Sequence, residues 1–313
     1  MTLVAGIDIG GTKTAAALVT ADGQLVRRTE LPTPAAAGPR AVLDAAAEAV
    51  TRLEAGGAGL VAVGVGSAGV IDPVDGTVRS ATDAMPGWAG TALRAGLAER
   101  LGVPVAADND VNAHAVGEAW RGAAGGQSTV LVVAAGTGIG ACVLLGGRVH
   151  HGAHGVAGEA GHLPVPGAAG LPCTCGGLGH VEAVASGPAM TAAYRARTGS
   201  PDARLSDIAR LAADGEAEAV AVLRAGASAL GEMIGGVANL LDPDLVLVCG
   251  GVSRCGDLWW DGLRASASAH LLPPLASTPI VPGLLGNDAA LYGAARLAWL
   301  MTADRVPRST MAR

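Results

Sequence analysis

Two short segments of this chain are suited to meeting an anion. Asp8-Ile9-Gly10-Gly11-Thr12-Lys13-Thr14 and Gly136-Thr137-Gly138-Ile139-Gly140 each lie between apolar runs of strand character, residues 4–9 and 14–20 for the first, 130–135 and 141–145 for the second. Small residues at such a bend let backbone N–H groups approach an anion with no Cβ in the way. One turn of this kind serves equally well as a plain hairpin. Two of them, the first with an acid ahead of it, point to a polyphosphate held from two sides by Gly10, Gly11, Thr12 and Lys13 and by Gly136, Thr137, Gly138 and Gly140. A P-loop is excluded by spacing. Gly6 and Gly11 have the right separation, but Thr12 stands where the lysine belongs, and Ala21-Asp22-Gly23-Gln24 followed by residues 25–31 reads as a hairpin continuing into a third strand.

The acids have distinct expected roles. Asp8 can hold the water shell of Mg²⁺ beside bridging phosphates, or stabilise its turn as an Asx residue. Lys13 can pair with a phosphate or stay solvated. Asp110 follows a strand at 103–107 and opens a helix at 111–123. That is where a carboxylate can accept the proton of a hydroxyl undergoing phosphoryl transfer. Asn109 offers an amide to a substrate hydroxyl, while Asp108 or Asp110 could instead cap the helix. Glu159 and His162, in Gly158-Glu159-Ala160-Gly161-His162, and the later Glu182 suit a polyhydroxylated ligand. Cys173-Thr174-Cys175 with His162 and His180 supplies two thiolates and two imidazoles, a set for tetrahedral Zn²⁺. With all four positions filled by protein, that zinc would be structural. The C-x-C spacing is tighter than the common C-x₂₋₄-C. His150, His151 and His154 read as solvated loop residues outside the site, and Cys249 as core.

These groups need a scaffold, and the chain has the length for two cores: 313 residues, 50% hydrophobic and 15% charged. With 48 glycines and no phenylalanine, the cores must be built from Ala, Val and Leu. The net charge of −6, with a basic cluster only at 305–313, argues against nucleic acid as the main partner. Asp8 interrupts the early apolar run and no basic region precedes it, so a secretory leader is not expected. The most apolar long segment, 217–241, carries Glu218, Arg224 and Glu232 and reads as a buried helix rather than a membrane span. Five cysteines, two of them in one C-x-C, fit a cytoplasmic protein with a metal or thiol site.

The first half reads as strands at 4–9, 14–20 and 25–31, a Pro/Ala linker at 32–39, a helix at 40–55 and a strand at 60–65. The loop Gly66-Ser67-Ala68-Gly69 follows at a ligand-binding sheet edge, then a helix at 91–101. Strands at 130–135, 141–145 and 148–150 repeat the opening, an internal echo of a β-β-β-α-β-α unit. A Gly/His-rich loop at 150–179 leads to helices around 181–197, 205–213 and 217–241. A strand at 245–249 ends in Gly250-Gly251, and a last helix precedes a tail expected to fray after Asp304.

Taken together, these motifs resemble the ROK family of sugar kinases. The resemblance runs from Gly6 to about Leu297. It rests on Asp8-Ile9-Gly10-Gly11-Thr12-Lys13, Asp108-Asn109-Asp110-Val111-Asn112, the second glycine turn, Gly158–His162, Cys173-Thr174-Cys175-Gly176-Gly177-Leu178-Gly179-His180-Val181-Glu182, and Leu245–Ser253. It implies an α/β, two-lobed actin-like ATPase (ribonuclease H-like) fold, each lobe a mixed sheet with flanking helices and a cleft between them. A small lobe at 1–115 would receive the helix 288–303, and a large lobe at 116–287 would carry the zinc loop and the adenosine side. It further implies ATP–Mg²⁺ between the glycine turns, with Gly250 and Gly251 on the nucleotide, and Asp110 as the base. Asn109, Glu159, His162 and Glu182, with Gly69 and Asp83 from nearby loops, would hold the sugar. His162 would serve both sugar and zinc.

Two departures stand out: His180 replaces the family's usual third cysteine, and Asp83 stands near where an asparagine is usual before Gly87-Trp88. An added carboxylate there would favour an amino sugar. The expected activity is phosphorylation of the 6-hydroxyl of a hexose or amino-hexose. Glucose is the default, with glucosamine, kanosamine and N-acetylhexosamines open, and polyphosphate open as donor. The partners would be sugar and ATP in a cytoplasmic homo-oligomer, a dimer or tetramer, with no nucleic acid or membrane. The alternative is a sugar-sensing regulatory relative, disfavoured by the acidic charge and the absence of a helix-turn-helix ahead of the first strand.

Overall fold

The computed structural model describes residues 2–54, 59–81 and 85–303. The chain opens with β1 (Leu3–Ile9), β2 (Lys13–Val19), β3 (Leu25–Pro32), α1 (Pro39–Glu54) and β4 (Leu60–Ser67). A short ribbon, β5 (Val70–Ile71) and β6 (Val78–Ser80), precedes α2 (Leu93–Leu101), β7 (Val105–Asn109) and α3 (Asp110–Arg121). The second half starts with β8 (Thr129–Ala135), β9 (Ile139–Leu145) and β10 (Arg148–Val149), then α4 (Glu182–Ala185), α5 (Gly187–Thr198), α6 (Leu205–Ala213) and α7 (Ala217–Leu241). It ends with β11 (Leu245–Cys249), α8 (Asp257–His270), β12 (Ile280–Pro282) and α9 (Ala289–Ala303).

The chain divides into two compact units, one of Met1–Gly126, His151–Val156 and Asn287–Arg313, the other of Gln127–His150 and Ala157–Gly286. The division expected at 115/116 falls inside α3. That helix stays whole in the first unit, since a Cβ on its Gly117 would lie 2.0 Å from the Ala289 carbonyl oxygen of α9. The tail after Asp304 and Asp83 lie outside the described residues.

Each unit carries a five-stranded sheet, ordered β3-β2-β1-β4-β7 in the first and β10-β9-β8-β11-β12 in the second. Both are mixed: an antiparallel trio from a meander, then parallel neighbours reached by helical crossovers. The repeated order is the internal echo visible in the sequence.

In the first unit the side-chain period of two separates the faces of β1 and β4. Ala5, Ile7, Ile9, Val63 and Val65 face a core shared with α1 and α2. The other face is kept flat by Gly6 and Gly64, and α9 lies on it: a Cβ at Gly64 would come within 1.7 Å of the Ala294 carbonyl oxygen. Any larger residue there would push the helix off the sheet.

In the second unit Leu131, Val133, Val246 and Val248 pack with Leu223, Ala227, Leu230 and Ile234 of α7 and with Trp259 and Leu263 of α8. By length and composition α7 could cross a membrane. Here it is a core helix, with Leu223, Leu230 and Ile234 fully buried.

The helix expected over 181–197 is interrupted. Ser186 is extended (φ −70°, ψ 156°) and caps α5 by accepting from the Ala189 N–H. Pro188 is the physical reason: within a continuous helix its ring would clash with the carbonyl four residues back and its missing N–H would break the ladder, and both are harmless only in a first turn, where it sits in α5.

Candidate functional site

In the first unit, strand register assembles three positions in a row: Asp8 pairs with Gly66, and Gly66 with Asp108. Gly66 leaves room for the start of α3; a Cβ there would lie 3.4 Å from the Asp110 Cα and 2.9 Å from the Ala113 Cβ. The gap brings Asp110 within electrostatic reach of Asp8. Burial first, then the Asp110 charge, raises the Asp8 carboxyl to about 7. Burial also raises Asp110, opposed by the Val111 N–H that donates to its Oδ1 at 3.0 Å. Two acids with restrained ionisation, next to a glycine turn, are equipped to bind a cation and to take up a proton.

The helix cap falls to neither aspartate. Asn109 Oδ1 accepts from the N–H groups of Val111 (2.8 Å) and Asn112 (3.3 Å), and its Nδ2 donates to the Gly69 carbonyl at 2.9 Å. Asn109 and Gly69 are therefore joined, and the carboxylate of Asp110 is left for other work. Asp108 is buried, and His151 Nε2 donates to its Oδ2 at 2.9 Å. His151, expected in solvent, is thus drawn to the strand end that carries Asn109. The contact spans 43 residues, and nothing local in the sequence announces it.

In the turn itself Gly10 N–H donates to the Lys13 carbonyl, while Gly11 and Thr12 form the bend. The Lys13 ammonium pairs with Glu30, 3.3 Å away on β3, which also accepts from Arg28. Lys13 is the member of the expected phosphate set that finds a protein partner instead.

In the second unit, one ligand atom from each of His162, Cys173, Cys175 and His180 lies within 4.8 Å of all the others. Cys173 Sγ is 3.5 Å from His162 Nδ1, and Cys175 Sγ is 3.2 Å from His180 Nδ1. A tetrahedral zinc with ordinary Zn–S and Zn–N bonds would separate sulfur and nitrogen by about 3.6 Å, so both the donor types and their spacing fit the ion. His162 turns its other nitrogen, Nε2, toward Glu159 Oε2 at 3.7 Å. The segment carrying both packs directly on β9, where a Cβ at Gly161 would lie 2.0 Å from the Ile139 carbonyl oxygen.

Glu182 is buried and joins two of these parts. Its Oε2 accepts from the Ile139 N–H at 2.8 Å, at the end of the second glycine turn, and its Oε1 accepts from Thr174 Oγ1 at 2.5 Å, between the two cysteines. A Cβ at Gly138 would approach Oε2 to 2.7 Å, which explains the second glycine of that turn. A carboxylate has about four lone-pair directions, so sites for hydroxyl donors remain.

Gly136, Thr137 and Gly251 meet around a cavity of about 350 Å³ with Gly187, Pro188, Leu205 and Val252. Gly187 N–H donates to the Gly136 carbonyl at 2.9 Å, so the turn abuts the start of α5. The S-G-P string at 186–188 was the available signal for this wall. Gly250 packs against β8, where a Cβ would lie 2.3 Å from the Ala135 carbonyl oxygen, and Gly140 lies within β9 opposite Ala134. A larger recess in the first unit, about 490 Å³, is lined by Thr2, Ala21, Val61, Arg296, Trp299, Thr302 and Ala303 and holds none of these residues.

Comparison with known proteins gives these parts a context. Residues 4–300 match the ROK family. A glucokinase from Streptomyces coelicolor is 36% identical over 319 residues, covering 95% of this chain and 98% of its own. An N-acetyl-D-glucosamine kinase from Erwinia tasmaniensis is 33% identical, covering 93% of this chain and 98% of its own. The crystal structure of a ROK family glucokinase from Streptomyces griseus, in complex with glucose and AMPPNP, superposes with a TM-score of 0.82 at 33% identity, covering 95% of this chain and 99% of that one. The α/β fold of two mixed-sheet units is therefore the actin-like ATPase fold. With a match over nearly its whole length and relatives above 30% identity, the chain belongs to the ROK family.

Proposed function

We propose that this protein is an ATP-dependent sugar kinase that phosphorylates the 6-hydroxyl of a hexose or amino-hexose, with Asp110 as general base. The observation that carries the reading is the pair Asp8 and Asp110, set together by strand register and the Gly66 gap below a glycine turn.

Asp110 accepts the proton of the sugar hydroxyl as its oxygen forms a bond to the γ-phosphorus and the bond to the ADP oxygen breaks. Burial raises its affinity for that proton, which suits a base working near neutral pH. Asn109, fixed by its cap and by Gly69, presents its remaining amide hydrogen to a hydroxyl. Glu159, His162 and Glu182 accept from or donate to the others. Backbone N–H groups at Gly10–Thr12, at Gly136–Gly138 and at Gly250–Gly251 receive the nucleotide. Asp8 would hold Mg²⁺ through its water shell, and when bound that ion neutralises charge between the bridging phosphates. His162, Cys173, Cys175 and His180 would hold a structural Zn²⁺, keeping His162 Nε2 turned toward Glu159. Glucose is the default substrate. The setting we propose is a cytoplasmic homo-oligomer with no nucleic-acid or membrane partner.

The test is ADP release with glucose, mannose, fructose, glucosamine, kanosamine, N-acetylglucosamine and N-acetylmannosamine, using ATP or polyphosphate as donor. Sugar-dependent turnover that disappears in Asp110→Asn supports the reading. Sugar binding by calorimetry without turnover on any member would overturn it in favour of a sensor. A preference for glucose over every amino sugar removes the role suggested for Asp83.

A further inference from the structure

We infer that His151 is a positioning residue for phosphoryl transfer: by donating from Nε2 to the buried Asp108, it fixes the strand end from which Asn109 and Asp110 are presented. The inference rests on the kinase reading with Asp110 as base. Asp108 is 5% exposed, and its two oxygens divide the work. Oδ1 accepts from the Asn109 N–H and from Asn112 Nδ2, both at 2.8 Å. The first bond fixes the residue before Asp110. The second reaches into the first turn of α3, just past it. Asp108 is thereby bonded to the residues on either side of the base.

Its Oδ2 has His151 as its donor, at 2.9 Å. A buried carboxylate oxygen stripped of its donor carries an uncompensated desolvation cost. The carboxylate then lowers that cost by rotating toward another donor, and rotation carries Oδ1 off Asn109 and Asn112. The effect reaches the chemistry through the placement of Asp110 and leaves the nucleotide-binding turns alone. The imidazole comes from a segment, His151–Val156, that belongs to the first unit although the chain on both sides of it belongs to the second. The hydrogen bond to Asp108 raises His151 above its ordinary value, against the opposing effect of burial.

The experiment compares wild type, His151→Ala, His151→Gln and His154→Ala in kcat, in KM for sugar and for ATP, and in thermal midpoint. The glutamine amide donates from nearly the reach of Nε2, and His154 is an exposed imidazole on the same segment. We expect His151→Ala to lower kcat about tenfold with both KM values within about twofold, and His151→Gln to recover kcat to within about twofold of wild type. His154→Ala should match wild type. An unchanged kcat in His151→Ala overturns the inference, as does a glutamine variant no better than alanine. If His151→Ala shows no folding transition, His151→Gln decides. Near wild-type kcat supports the inference, and a tenfold loss with an intact midpoint overturns it. A wild-type protein without turnover on any sugar overturns the kinase reading itself, and this inference with it.

Discussion

The first and second glycine turns occupy the same place in two copies of one strand order, yet they are equipped differently. In the first unit the last residue but one of the strand before the turn is an acid, Asp8, and the bend closes from the Gly10 N–H to the Lys13 carbonyl. In the second unit the corresponding strand position is Ala134, the bend is a residue shorter, and it closes from the Gly136 N–H to the Gly138 carbonyl. There the carboxylate comes from outside, from Glu182, and is bonded to the Ile139 N–H. A helix start stands beside the second turn, and an acid pair beside the first. One scaffold thus yields a turn with an acid on its own strand and a turn whose carboxylate is supplied by another element. The duplication set the backbone, and a few side chains divided the labour.

The sharpest way to break this comparison is Asp110→Asn, which keeps size and hydrogen bonding and removes the base. Sugar-dependent turnover should fall about a thousandfold while ATP binding stays intact. A loss of tenfold or less would remove Asp110 from the chemistry. Because burial raises Asp110, the acid limb of kcat/KM should lie above the ordinary carboxylate range. Activity rises with pH as the carboxyl ionises, so a limb near 4 would show that Asp110 is not the ionising group.

Asp8→Asn comes next, with a loss of about 10- to 100-fold in activity or apparent Mg²⁺ affinity, the size seen when a group outside the direct ligand set is removed. Sugar binding without nucleotide should be unchanged. Equal losses for sugar and Mg²⁺ would mean that Asp8 only shapes the turn. The counterpart in the second unit is metal removal. Chelation, or Cys173→Ser, should weaken sugar binding through His162 and lower the thermal midpoint. Chelation that releases one zinc per chain by a chromogenic assay would support the Cys₂His₂ set; release of none would refute it.

How much of this could be read from the chain itself varies with distance along it. The strands at both turns were legible because apolar runs bracket small residues, and α6, α7 and β11 have the bounds that their apolar patterns set. The four metal ligands lie within 18 positions of one another, so their grouping was visible as a string. The break at Ser186 lies inside a run of helical composition, and Pro188 is its one local mark. His151 was illegible for a different reason: its partner lies 43 residues away, and an imidazole in a Gly/His-rich loop carries no sign of what it will meet. The same holds for Asn109, whose capping role competes with two neighbouring acids of equal propensity. Only the geometry of the Gly69 carbonyl on its other side decides among the three.

The smallest predicted effect tests the link between the metal loop and the second turn. Thr174 ligates nothing, but its hydroxyl donates to Glu182 Oε1 while Oε2 holds the Ile139 N–H. Thr174→Val keeps the shape and removes that donor, at a cost of about 1 kcal/mol. Glu182 would then keep the Ile139 N–H on Oε2 and only the longer Cys173 Sγ contact, at 3.9 Å, on Oε1. Sugar KM should rise about fivefold, the equivalent of that energy, with zinc content and ATP KM unchanged. A rise in ATP KM instead would mean that Thr174 acts through the glycine turn, so that metal loop and turn form one rigid piece. No change in either would leave the other contacts of Glu182 sufficient to hold the carboxylate, and the second turn would then be independent of that hydroxyl.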